Sequence, residues 1–473
     1  MLKYLMLIFL SVSLLSCKND KTTTEKDKKP ETPVVTMKQP KPDPDNGGLI
    51  LPDGFGALVV IDSLGPSRHI AVNTNGDVYV KLRTEEGRNG NIALRDTDND
   101  GKADILQRFG DYPNDGRFAT EMRIHKGYLY FSSEHVVYRQ KLAENELIPI
   151  GKPEVLVTDI YPMRWHNSKV LAFDNKGGMY VTFSAPTNAC EDYRLTTGDK
   201  SGIVRGQYPC EQLEILGGIW KFDEARPNQF QKDGIRYATG VRSVVGMAWN
   251  EQDSSLYAVN HGRDYLHNHA PQYFSKWEDA VLPAEEFMKI KEGDDFGWPY
   301  TYYDPFRNKR MLAPEYGGDG KKEAKGYTDP IMALPAHFAP NDLLFYKGDQ
   351  FPERYKHGAF IAFHGSVNRT PYPQAGYIVA FLPFQNGKPT GEWEVFADGF
   401  TGVDTVVKMQ DAKHRPMGLA EGADGALYIS ESKQGKIWCI KYMGDRAAFS
   451  KEQLLGMEER KSRSYIKMPE KSL

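Results

Sequence analysis

The chain has 473 residues, with 60 basic and 63 acidic side chains and a formal net charge of −3. Charges of mixed sign close to balance leave no basic footprint, which excludes nucleic acid as a partner. A hydrophobic content of 40% together with 44 glycines suits an all-β protein with many turns.

The first element is an apolar run from Tyr4 to Leu15 behind a single positive charge at Lys3. It is too short for a permanent membrane-spanning helix and ends in small residues. Leu14-Leu15-Ser16-Cys17 resembles a bacterial lipobox. That makes residues 1–17 a lipoprotein signal peptide, Cys17 the lipidated residue, and the chain an exported protein anchored in the cell envelope. Lys18-Asn19-Asp20 place no aspartate directly after the cysteine, in keeping with a periplasmic or outer-membrane side. Residues 18–48 hold Pro30, Pro33, Pro40, Pro42 and Pro44, a Thr22–Thr24 run and many charges. With almost nothing apolar to bury, this segment reads as a disordered, extended tether.

Residues 49–442 read as one globular body built on an internal repeat. Six segments share a turn followed by a small-apolar-aromatic strand: NGDVYV (75–80), KGYLYFS (126–132), KGGMYVTFS (176–184), DSSLYAVN (253–260), HGAFIAFHG (357–365) and DGALYISES (424–432). Most are preceded by a short apolar strand such as RHIAV or VVGMAW, and most are followed by a third such as GNIALR or GKIWCIKY. Short strands divided by Gly, Asn and Asp turns form antiparallel meanders. Six recurrences predict a six-bladed β-propeller of four-stranded antiparallel blades, since radial closure removes long exposed edges. Long insertions are expected at about 185–216, within blade three, and at 261–340, between blades four and five.

Blade one ends in Asp96-Thr97-Asp98-Asn99-Asp100-Gly101-Lys102-Ala103-Asp104. Carboxylates at alternate positions around a glycine let oxygens converge on a hard cation, so Asp96, Asp98, Asp100 and Asp104 are candidate Ca²⁺ ligands. Gln107 stands where an EF-hand has its bidentate glutamate, which makes this a DxDxDG loop and not a helix-loop-helix site. Cys190 and Cys210 lie on one excursion and are able to pair as a disulfide in an oxidising compartment. Cys439 sits in a strand-like run and reads as a buried thiol. In the C-terminal tail, residues 443–473, Ser450 and Gln453 form a capping box for a short helix.

The stretch from residue 261 onward carries a family pattern. HGRD (261–264) is followed by LPAEEF (282–287), EGDDFGWPYTYYD (292–304), APEYGGDG (313–320), PAHFAPNDLLFY (335–346), FPERYKHGAFIAFHGSVNR (351–369) and HRPMGLAEGADGALYISES (414–432). In this order the motifs resemble the PQQ-dependent glucose/sorbosone dehydrogenase family, in its sorbosone-dehydrogenase-like branch, over residues 50–442. The resemblance implies a six-bladed propeller that holds pyrroloquinoline quinone on its top face, bridged by Ca²⁺, and oxidises a sugar at its anomeric carbon or aldehyde. His166, in RWHNSKVLAF, matches the catalytic base, a role suited to an imidazole. Arg242 matches the arginine that contacts the quinone and stabilises its charge. The backbone carbonyls of Gly262 and Arg263 fall where the family ligates Ca²⁺. Arg369, Lys413 and Arg415 supply positive charge for the cofactor's carboxylates, and His364 and His337 lie in the same loops. Ser243 stands where the family has asparagine, and Val367 where it has tryptophan. With no CxxCH haem-attachment sequence, electrons leave for an external acceptor such as a c-type cytochrome or a quinone. The other reading is a non-catalytic propeller that binds glycan or protein at the cell surface.

Overall fold

In the second strand of each repeat most residues are buried on both faces, because a propeller blade is covered by a neighbour on either side. Val78–Leu82, Gly178–Phe183 and Ala359–Phe363 are buried throughout, so they read as continuous apolar runs. Outer strands behave differently: Ile105–Phe109 exposes four of its five residues. The computed structural model describes residues 40–83, 90–112, 120–159, 168–196 and 201–471. Cys17 and His166 lie outside them.

Six antiparallel sheets form the propeller. Their innermost strands are Ser67–Val72, Met122–His125, Leu171–Phe173, Val244–Asn250, Pro340–Phe345 and Pro416–Glu421, in blades 1 to 6. Each blade runs outward in chain order, except the last. Blade 6 takes its outer strand from the start of the body: Phe55–Ile61 lies antiparallel to Ile437–Tyr442, with Phe55 opposite Tyr442. Phe55 meets Phe351, Tyr355, Phe396 and Tyr442 edge-on at 4.9 to 5.3 Å between ring centroids. Aromatic packing of this kind holds the ring shut beyond simple area burial.

Three expected boundaries shift. The body begins before residue 49: the backbone N–H of Asp43 donates to Ala57 O at 2.8 Å, and Asp43 Oδ2 accepts from the N–H of Val59 at 2.8 Å. The tail belongs to the body as well. The Ser450/Gln453 capping box opens a 3-10 turn leading into a helix over Leu455–Arg460, and Arg460 pairs with buried Asp398 at 2.5 Å. Finally, the long excursion after residue 260 is not a link between blades. Glu285–Ile290 is the third strand of blade 4 and Met332–Leu334 its fourth, so the excursion is two insertions within one blade. The buried glutamates at the start of that third strand conceal it from an apolar pattern.

The two large insertions are knitted together above the propeller. Cys190 and Cys210 form a disulfide with an S–S distance of 2.04 Å, and Trp298 Nε1 donates to Asn188 O at 2.9 Å. Cys439 is a buried free thiol. On the axis, one cavity is lined from the starts of inner strands and another from their ends. Between them lies a buried ionic layer. His69 contacts Glu121 at 3.3 Å, and Arg123 reaches Glu121 at 3.3 Å and Asp342 at 2.6 Å. Glu121 and Asp342 also accept backbone N–H groups from Leu171 and Leu419 at 2.6 and 2.8 Å. Five blades are tied at the axis, and the layer forms the floor of the upper cavity.

Candidate active site

The upper cavity, about 270 Å³ in volume, gathers Arg68, Arg242, His261, Glu285, His337 and Arg415 among its lining residues. Strand starts and strand ends supply them. Arg68 lies in the first strand of blade 1, Arg415 directly precedes that of blade 6, and His261 follows the second strand of blade 4.

One wall is cationic. Arg68 is buried, and its Nε has no hydrogen-bond partner. Burial, with the charges of Arg83 and Arg415, pushes its pKa down to about 9, so it stays protonated at neutral pH. Arg415 donates to the carbonyls of His364 and Gly365 at 2.9 and 2.6 Å, which fixes its fork and spends none of it on a carboxylate. A buried polar atom left unpartnered is costly. Here it marks a place for an anion.

The opposite wall is built around Asp264. Asn188 clamps its backbone from the blade 3 insertion, with Oδ1 accepting from the Asp264 N–H and Nδ2 donating to its carbonyl, both at 2.8 Å. Its carboxylate takes Arg242 Nη2 at 2.9 Å and His337 Nδ1 at 3.2 Å. Burial would raise the Asp264 pKa, but Arg242 and His337 outweigh it and hold the carboxyl well below the usual range. His337 Nε2 donates to Asp279 O at 2.7 Å. Burial opposes its charge, yet Asp264 holds its pKa above the ordinary value. Both His337 nitrogens face acceptors within the protein. Glu285 accepts the N–H groups of Gly262 and Ala339 at 2.7 and 2.9 Å, and burial pushes it up to about 7.

Two further histidines are neutral. His261 Nε2 lies 3.0 Å from Pro340 O and donates to it; burial first, and then Arg242, lowers its pKa to about 4. His364 contacts Ser432 Oγ at 2.6 Å, and burial with the charges of Arg415 and Arg68 pushes it well below the usual value.

Of the residues singled out from sequence, Arg242, Gly262, His337, His364 and Arg415 converge on this cavity, with Ser243 and Val367 also in its lining. Lys413 does not join them; it is exposed. Arg369 is buried with Nε and Nη1 unpartnered, but it is not part of the cavity lining. Arg263 turns its guanidinium away, onto Glu315 and His269. The expected Ca²⁺ position fits poorly: the carbonyl of Gly262 already accepts Arg242 Nη1 at 2.8 Å. Among the described residues, one group of three acidic, His or Cys side chains brings ligand atoms within 4.8 Å of one another, and it is Asp96, Asp98 and Asp104 in the blade 1 loop. Asp100 is not in that group; its carboxylate accepts the N–H of Lys102 at 2.8 Å.

Sequence reasoning passed over Arg68, His261, Asp264 and Glu285. Three of them stand inside quoted motifs, HGRD and LPAEEF. Arg68 opens the quoted RHIAV strand, where nothing in the sequence shows that its charge is left unpaired.

A family model described as TrAA12-like matches residues 49–443. Among solved structures, the calcium structure of a Family AA12 carbohydrate-active enzyme of Trichoderma reesei aligns with TM-score 0.64 and 18% identity, over 84% of this chain and 97% of that one. The holo form of the PQQ domain of pyranose dehydrogenase from Coprinopsis cinerea aligns with TM-score 0.63 and 18% identity, over 85% and 98%. An uncharacterized protein of Borreliella burgdorferi is 29% identical over 210 residues, 43% of this chain and 48% of that protein, so the match spans about half the length of that curated relative. The propeller expected from the repeat is the fold these solved structures share, and the chain belongs to the TrAA12-like family.

Proposed function

We propose that the protein is a PQQ-dependent dehydrogenase of an aldose or sugar aldehyde, exported and held to the cell envelope by a lipid on Cys17. The observation that carries this reading is the cationic wall of the cavity, where Arg68, Arg83 and Arg415 approach one another and Arg68 Nε is buried without a partner. Pyrroloquinoline quinone is a planar polycarboxylate, and guanidinium forks are the groups that bind carboxylates in pairs. The PQQ domain of the Coprinopsis cinerea enzyme, with the same fold, supports the choice of cofactor.

Bound quinone would supply the two-electron acceptor for a hydride leaving the sugar carbon. Arg68 and Arg415, which line the cavity, would hold its carboxylates. His261 and His364, kept neutral by burial, offer ring nitrogens without competing positive charge. Both nitrogens of His337 are engaged by Asp264 and Asp279, which removes it from the candidate bases. His166 takes the proton of the sugar hydroxyl. The electrons would pass to a separate acceptor, a c-type cytochrome or a quinone. Calcium enters as a structural ion of the Asp96–Asp98–Asp104 cluster.

The test is direct. Purified protein is titrated with PQQ while the cofactor absorbance is followed, and aldoses and sugar aldehydes are then added with a redox dye. Saturable uptake and sugar-dependent dye reduction are expected. Uptake without reduction by any sugar would leave a non-catalytic glycan-binding propeller in its place.

A further inference from the structure

We infer that the Arg242 guanidinium fills the place a divalent cation would take at Gly262, so that this site binds its polycarboxylate cofactor without metal. The inference rests on the proposed function for the identity of the ligand, and on the chain's own geometry for the absence of a metal requirement.

A hard cation needs several free oxygens converging on one point. In this corner they are already taken by hydrogen-bond donors. Arg242 bridges the Gly262 carbonyl, through Nη1 at 2.8 Å, and Asp264 Oδ2, through Nη2 at 2.9 Å. The second oxygen of Asp264 faces His337 Nδ1 at 3.2 Å. The Glu285 oxygens accept the backbone N–H groups of Gly262 and Ala339. A divalent ion on the Gly262 carbonyl would displace a guanidinium and then sit beside it, a repulsion that is strong where water is excluded.

Arg242 is also held where it is. Asn260 Oδ1 accepts the N–H groups of Arg242 and Ser243 at 3.1 and 3.0 Å, and the Arg242 carbonyl accepts from Ala185 N at 2.8 Å. The backbone is pinned on both sides of the side chain. Independently of these bonds, Arg242 Nε is buried and has no hydrogen-bond partner, while the residue lines the cavity. The guanidinium therefore retains a donor that its protein partners do not use. A fixed planar cation with a spare N–H can polarise a bound oxygen, the role a metal would otherwise have.

Two measurements test this. In the first, full-length protein stripped by chelation takes up PQQ, followed by cofactor absorbance, in excess chelator or in millimolar calcium. The expected dissociation constants agree within about twofold. Arg242→Ala should weaken uptake in chelator at least tenfold, and calcium should restore part of the loss because Gly262 O and Asp264 are freed; Arg242→Lys, which keeps the charge without the fork, should fall between. Uptake by the parent protein that requires calcium would overturn the inference. The second measurement needs no PQQ. Calcium is titrated calorimetrically into protein carrying Asp98→Asn and Asp104→Asn, which removes the blade 1 cluster. No binding is expected. A calcium ion that binds this variant and is lost on adding Asp264→Asn would overturn the inference by itself. Failure to take up PQQ in either buffer would instead overturn the proposed function, with the calcium titration still deciding the metal question.

Discussion

Arg123→Met would remove the one guanidinium in the ionic layer beneath the cavity while keeping most of the side-chain stem. Glu121 and Asp342, both 0% exposed, would lose a partner at 3.3 and 2.6 Å. Removing one member of a buried ion pair costs about 3–5 kcal/mol, because the remaining charge is left without compensation. Arg123 itself is 21% exposed at the lower mouth, so the lower end of that range applies. Unfolding the body, roughly 430 residues, has an entropy of about 0.9 kcal/mol per kelvin near its midpoint, so about 3 kcal/mol lowers the midpoint by ~3 °C. The pH dependence has a definite sign. In the parent, burial favours protonation of Glu121, but Arg123 and His69 prevail and hold its pKa below the ordinary value. Glu121 then contributes stability that is present above the ordinary glutamate pKa and lost as pH falls through the depressed one. Without Arg123 the burial effect dominates and the carboxyl pKa rises. The variant's deficit is then largest at neutral pH and shrinks on acidification, as Glu121 takes a proton. Scanning calorimetry at pH 7.5 and pH 5 measures both. A midpoint within 1 °C of the parent, or a deficit that does not change between the two pH values, would refute the account of the layer.

Four other outcomes follow from the same structure. Arg68→Met should raise the melting midpoint of the protein alone, by removing an unpaired buried cation, while weakening PQQ uptake at least tenfold; a change of the same sign in both would refute the anion-site assignment. His166→Gln should keep folding and PQQ uptake and lose about a hundred- to ten-thousand-fold in turnover, whereas parental turnover would send the search for the base to His261 and His364. Cys17→Ser should release the protein from membranes into the soluble fraction, and retention after a salt wash would end the lipobox reading. Asp98→Asn with Asp104→Asn should abolish any calcium-induced rise in melting temperature; identical melting of parent and variant, in calcium and in chelator, would remove the loop as a cation site.

Local sequence was enough for the elements whose burial is simple. The second strands of the blades, such as Val78–Leu82 and Ala359–Phe363, are covered on both faces and appear as apolar runs after a turn, so the blade count and the fold class follow from them. The cysteine pair 190/210 and the DxDxDG spacing were legible for the same reason, since the groups that act together lie close along the chain. The rest depends on partners far apart in sequence. Phe55–Ile61 becomes the outer strand of blade 6 only because the ring closes and aligns it with Ile437–Tyr442. Glu285–Ile290 is a strand although it begins with two glutamates, because Glu286 is buried against Arg310 at 2.9 Å and Glu285 against the N–H groups of Gly262 and Ala339. Arg242 was named as a site residue by the family resemblance, but what its charge meets was not legible there. Whether its charge meets a ligand, a metal or a carboxylate is set by what surrounds it in space, and there Gly262 and Asp264 take its fork while Arg68 Nε is left without a partner across the cavity. Electrostatic balance in a buried site is summed over neighbours from several blades, and no single stretch of chain contains that sum.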